Sequence, residues 1–212
     1  MPSLTHAAIV KRRRDLLASG RLVAAPIGGN DDSATTLGEL TRLAAIPPRR
    51  GSLLAQLAGL APEGDFLELG SNVGIGTAFL ADVARTNGTG HVYSVEGVPG
   101  IAQAAERTLK VLELDEWATI TCQDFMEALS AASARQHEFS FAFIDGSHTY
   151  EPTRRYVDAV EPLMRRGGMI IIDDVGQTVG IRKAWRELAR DPRFPTAWTD
   201  GRFGLLSVDR KR

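Results

Sequence analysis

Two apolar runs in this chain end in carboxylates. Phe139-Ser-Phe-Ala-Phe-Ile144 passes into Asp145-Gly146-Ser147-His148, and Gly168-Met-Ile-Ile-Ile172 passes into Asp173-Asp174. On neighbouring strands these ends would bring three negative groups together, which repel one another and resist desolvation unless a cation compensates them. An all-oxygen donor set suits a hard divalent ion such as magnesium, making Asp145, Asp173 and Asp174 candidate metal ligands. A structural reading stands beside it, with Asp145 and Asp173 capping the turns after them and Asp174 in water. His148, three residues past Asp145, carries an imidazole that titrates near neutrality; it can accept a proton as a catalytic base or simply brace its loop.

A second chemical feature is the glycine-rich stretch Glu68-Leu69-Gly70-Ser71-Asn72-Val73-Gly74-Ile75-Gly76. Glycines there accept unusual dihedrals and let a ligand approach the backbone. A dinucleotide fingerprint starting at Gly70 needs glycines at 72 and 75, where this chain has Asn72 and Ile75, which counts against a nicotinamide enzyme. Some twenty residues on, Glu96 can accept both hydroxyls of a ribose, or be a solvated strand end. Asp124 stands one apolar run further along and would cap a helix on the plainer reading.

These residues need a scaffold that places strand ends side by side. From Asp65 onward short apolar runs alternate with amphipathic stretches, the rhythm of parallel strands joined by crossover helices. Strands are expected at Phe66–Leu69, His91–Val95, Ala118–Cys122, Phe139–Ile144 and Met169–Ile172. Helices are expected near Gly76–Arg85, Ile101–Leu112, Phe125–Ala134, Thr153–Met164 and Ile181–Ala189. Asp200-Gly201 between two strand-like runs signals a closing hairpin, so the sheet should end in an antiparallel pair. In such sheets ligands sit beyond the carboxyl ends of the strands, where the strand order reverses. Upstream, Thr36 and Glu39 have capping-box spacing before a helix that ends at Pro47-Pro48. A polar break falls at Gly28–Ser33, and a helix carrying Leu53, Leu54, Leu57 and Leu60 comes after Pro48.

The turn 68–74 resembles the S-adenosylmethionine (SAM) binding turn of class I SAM-dependent methyltransferases, with Gly70 and Gly74 at its spacing. The resemblance covers roughly residues 50 to 212. It implies a Rossmann-like α/β/α sandwich whose mostly parallel seven-stranded sheet ends in an antiparallel strand. It also implies that Glu68, Gly70, Ser71, Asn72, Gly74, Thr77, Glu96, Gly97, Asp124, Phe125 and Asp145 face SAM, with Asp124 at the adenine amino group. The strand-end carboxylates are similar to those of metal-dependent O-methyltransferases of the catechol and caffeoyl-CoA type, where the last ligand is commonly asparagine rather than the Asp174 found here. Phe143-Ile-Asp-Gly-Ser-His-Thr-Tyr150 looks more like a branch of sugar and natural-product methyltransferases, some also metal-dependent. The implied activity is methyl transfer to a hydroxyl of a small molecule assisted by a divalent ion, with Asp145 and His148 catalytic. The rivals are metal-free transfer to oxygen or nitrogen, and a non-catalytic SAM-binding module.

Bulk properties agree with a small-molecule partner. The chain's 25 basic and 26 acidic side chains nearly cancel, so no overall field draws it to nucleic acid or an acidic membrane. The run Lys11–Arg14 is expected to be a solvated helix face. No stretch approaches the roughly 20 apolar residues that span a bilayer. The single cysteine, Cys122, excludes an internal disulfide and a cysteine-based zinc site, and points to a reducing, cytoplasmic setting. It is expected to be an apolar filler in a buried strand. Residues 1–50 form a helical segment, either a lid or a homodimer contact, ahead of a SAM-binding domain over 51–212.

Overall fold

The chain's alternating pattern becomes alternating structure in the computed structural model, which describes residues 4–24 and 34–209. The break expected at Gly28–Ser33 lies outside them. The elements run α1 (Leu4–Leu17), β1 (Leu22–Ala24), β2 (Ala34–Thr36), α2 (Leu37–Ala44), α3 (Pro48–Ala58), β3 (Asp65–Leu69), α4 (Ile75–Asn87), β4 (Val92–Glu96), α5 (Pro99–Val111) and β5 (Ala118–Cys122). They continue with α6 (Phe125–Ala134), β6 (Phe139–Ile144), α7 (Tyr150–Val160), β7 (Met164–Ile172), α8 (Val179–Leu188), β8 (Ala197–Thr199) and β9 (Gly204–Ser207). The strand order of the seven-stranded sheet is β5-β4-β3-β6-β7-β9-β8, with β9 antiparallel to its neighbours. This is the Rossmann-like α/β class the sequence implies, including its antiparallel end.

The chain forms two compact units. The first holds residues up to Gly59 together with Ser71–Gln123. Within it, Thr36 caps α2 by accepting the Glu39 backbone N–H, while the Glu39 carboxylate takes the Thr35 hydroxyl. Pro48 also starts α3, because a helix's first turn has no use for the missing proline N–H. Three expectations change here. The N-terminal region is not only helix and loop, since β1 and β2 pair antiparallel. The basic run on α1 is only partly a solvated face: Arg13 donates to the carbonyls of Ala45 and Ile46, and Arg12 to the Thr108 hydroxyl. Cys122 is exposed rather than buried, because β5 is an edge strand whose outer half faces solvent.

The second unit holds Leu60–Gly70 and Asp124–Arg212. Every residue of β6 is buried, as expected of a central parallel strand covered on both faces. Its Phe143 ring meets the fully buried Phe203 edge-on at 5.9 Å. The helix expected to reach Met164 stops at Val160, where Pro162 cannot continue the hydrogen-bond ladder, and a short 3-10 turn delivers Met164 into β7. Strand register brings three ends to one level. Leu69 pairs Ile144 and Ile144 pairs Ile172, so Gly70, Asp145 and Asp173 leave the sheet side by side. The chain winds away in opposite directions from β3 and β6, so these ends are the topological switch point.

Candidate functional site: a braced glycine turn and an acidic strand-end cluster

In the first unit, the turn after β3 is built from two left-handed residues. Asn72 has φ 47° and Gly74 φ 82°. Gly74 opens α4, donates to the Ser71 carbonyl, and lies so near α5 that a Cβ would come within 2.9 Å of the Ala105 backbone. The Asn72 side-chain oxygen accepts the Val73 N–H, a local bond that helps an asparagine hold this conformation. Glu96, at the end of β4, ties the turn down: Oε2 accepts the Asn72 N–H at 3.0 Å and Oε1 the Val98 N–H at 3.1 Å. Burial raises its carboxyl above the ordinary range, while bonds from Val98, Asn72 and Gly97 pull the other way. Ser71 and Thr77, both buried, converge on the Ser94 hydroxyl at 2.6 and 3.5 Å, whereas Gly97 is exposed.

In the second unit, Gly70 has φ 104°, and a Cβ there would lie 2.2 Å from the Asp145 carbonyl oxygen. Only glycine permits that approach. Asp145 N donates to Leu69 O, so β3 and β6 stay zipped at the point where both end. The Asp145 carboxyl is held well above the ordinary carboxylate range, first by desolvation and then by Asp173, Glu68 and Asp174, with Arg202 opposing. Glu68 is fully buried. His148 Nε2 lies 3.7 Å from Asp145 Oδ1, near enough for charge coupling but beyond hydrogen-bond reach. Asp124 caps α6, accepting the backbone N–H groups of Met126 and Glu127. Phe125 meets Tyr156 edge-on and lies where a Gly146 Cβ would come within 2.5 Å of its ring.

The cation that the carboxylates require is present, and it is a side chain. Arg202, just past the Asp200-Gly201 turn, forks onto Asp173 with Nε to Oδ1 at 3.0 Å and Nη2 to Oδ2 at 3.1 Å. Its Nε also lies 3.0 Å from Asp174 Oδ1. Asp173 Oδ1 further accepts the Asp174 N–H, and Asp174 Oδ2 accepts Gln177 Nε2. These oxygens therefore do not fit a divalent ion, and among the described residues no group of three or more His, Cys, Asp or Glu is arranged to hold one. The sequence reading asked for a cation and missed Arg202. The hairpin signal preceding it was legible, but no local spacing links residue 202 to residue 173.

Solved structures share this architecture. Cofactor-bound Rv0187 from MTB superposes with a TM-score of 0.71 at 22% identity, covering 99% of this chain and 92% of that one. TomG, an O-methyltransferase of Streptomyces achromogenes involved in tomaymycin synthesis and solved with SAM, gives 0.70 at 16% identity with the same coverage. At such identities the likeness establishes the fold alone. Residues 67–175, just over half the chain, match the family described as methyltransferase domain, and the chain belongs to that family. The protein-L-isoaspartate O-methyltransferase of Photorhabdus laumondii is 26% identical over 125 residues, 54% of this chain; the match spans 58% of that protein's length.

Proposed function

We propose that this protein transfers a methyl group from SAM to a hydroxyl of a small molecule. The observation that carries the reading is the turn from Gly70 to Gly74 at the switch point, a backbone cradle that departs from the dinucleotide spacing and lies within the matched methyltransferase region. Glu96 is assigned to the ribose hydroxyls and Asp124 to the adenine amino group; each already holds backbone N–H groups, so each would meet its ligand in a fixed orientation. Displacement at a sulfonium methyl asks an enzyme to align donor and acceptor and to accept the acceptor's proton. His148 and Asp145 are assigned that proton, because their side chains stand 3.7 Å apart and both open partly to solvent, within reach of an acceptor. The commitment of Asp173 and Asp174 to Arg202 favours the metal-free form of the reaction over the metal-assisted one.

Calorimetry with SAM and with NAD tests the cofactor: SAM binding without NAD binding is expected, and the reverse overturns the reading. Incubation with labelled SAM and a panel of small hydroxylated acceptors tests the reaction. A peptide bearing L-isoaspartate serves as the contrasting acceptor, and label entering only that peptide would refute a small-molecule hydroxyl. Activity indifferent to chelator is expected, and its loss on chelation would restore the metal.

A further inference from the structure

The Arg202 guanidinium is seated too firmly for a casual surface pair. Its turn is closed by Asp200, whose Oδ1 accepts the backbone N–H groups of Arg202 at 3.0 Å and Phe203 at 2.8 Å. The Arg202 carbonyl accepts the Val175 N–H at 2.9 Å, so the segment just past Asp174 is stitched to the residue whose side chain neutralises it. Phe203, the next residue, is fully buried. Asp173 is 1% exposed, and both its oxygens are spent on the fork.

We propose that Arg202 is the resident cation of the Asp145–Asp173–Asp174 cluster, standing where a carboxylate site would otherwise hold a divalent ion, and that it makes the cluster metal-free. The methyltransferase reading supplies the consequence for catalysis, but ion binding can be read without it. A guanidinium stays charged at every accessible pH and presents planar donors that match a carboxylate face to face. A hard ion must approach the same oxygens to about 2.0–2.6 Å, the space these donors fill, and would meet the positive charge of the arginine beside it. The two cations are thus alternatives. The arginine also differs in kind: it holds the two strand-end carboxylates in place but offers no open coordination position to an acceptor oxygen, so acceptor activation falls to a proton-accepting side chain.

Titration of the full-length chain with Mn2+, read by electron paramagnetic resonance, tests this with three proteins. The wild type is expected to take up no Mn2+ at the cluster and to titrate like Asp174→Asn, whose carboxylate is partly exposed and so replaceable. Arg202→Ala is expected to gain one bound Mn2+, because Asp173 and Asp174 lose their cation and retain their charge. One Mn2+ bound by the wild type and lost in Asp174→Asn overturns the proposal. Folded Arg202→Ala that still binds none overturns the claim that arginine occupies an ion's place. If Arg202→Ala does not fold, the comparison of wild type with Asp174→Asn decides alone. Failure of SAM to bind in calorimetry would strike the methyltransferase reading and leave these ion-binding outcomes as they are.

Discussion

At the residue scale, the acidic cluster makes its own electrostatic forecast. The Asp145 carboxyl titrates well above its ordinary range, because desolvation and three neighbouring carboxylates outweigh Arg202. A carboxyl raised on folding binds its proton more tightly in the native state than in the unfolded chain. Its contribution to stability is therefore intact below the ordinary carboxyl range and is lost as pH rises through the raised value. Asp145→Asn does not titrate, so the melting temperature of the variant relative to wild type should climb with pH across that window and then level off. A difference that is flat or falls with pH would contradict the electrostatic account. Burial raises the Glu96 carboxyl too, but its oxygens brace the cofactor turn, so its removal harms the fold. Glu96→Ala strips an acceptor from the Asn72 and Val98 N–H groups. Each of these part-buried N–H groups loses a hydrogen bond worth about 0.5–1.5 kcal/mol, so urea unfolding should show a total loss of about 1–3 kcal/mol. SAM binding should weaken with it, since the turn is no longer braced.

At the element scale, two glycines flanking α4 separate backbone strain from close packing. Gly74 at its start has φ 82° with the α5 backbone 2.9 Å from where a Cβ would lie, whereas Gly88 just beyond its end has φ 67° with open space around it. Gly88→Ala should lose only the left-handed penalty, about 1–2 kcal/mol. Gly74→Ala must also push α5 aside, so its unfolding midpoint in urea should fall further; equal losses would mean that α5 is not held close. The contrast between local and distant causes also separates what the chain reveals by itself from what it does not. β6, α6 and the Asp200-Gly201 hairpin were legible because apolar runs, capping residues and turn residues act locally. The strand-end carboxylates were legible because every parallel strand must stop with its side chains at the sheet's edge. Other features depend on distant partners. The exposure of Cys122 comes from β5 being an edge, which strand order decides and strand composition does not. The short end of α7 depended on Pro162, which stood in plain sight inside the helical period. The pairing of Arg202 with Asp173 spans 29 residues and exists only because β9 returns antiparallel beside β7.

At the scale of the whole molecule, a ligand that binds only the folded chain must raise its stability by mass action, whatever contacts it makes. SAM at a hundred times its dissociation constant should add about 2.7 kcal/mol. For a chain of 212 residues, each 1 kcal/mol moves the melting temperature by about 2–4 °C, so saturating SAM should raise it by roughly 5–11 °C. NAD should leave it unmoved, because the backbone at Asn72 and Ile75 lacks the glycines that let a pyrophosphate approach a dinucleotide turn. The near balance of 25 basic and 26 acidic side chains removes a general electrostatic affinity, for cationic SAM or for anionic NAD, as the main competing cause. A shift with SAM that survives in high salt would therefore report a specific site. A comparable shift with NAD would overturn the cofactor assignment, while leaving the fold and its membership of the methyltransferase-domain family standing.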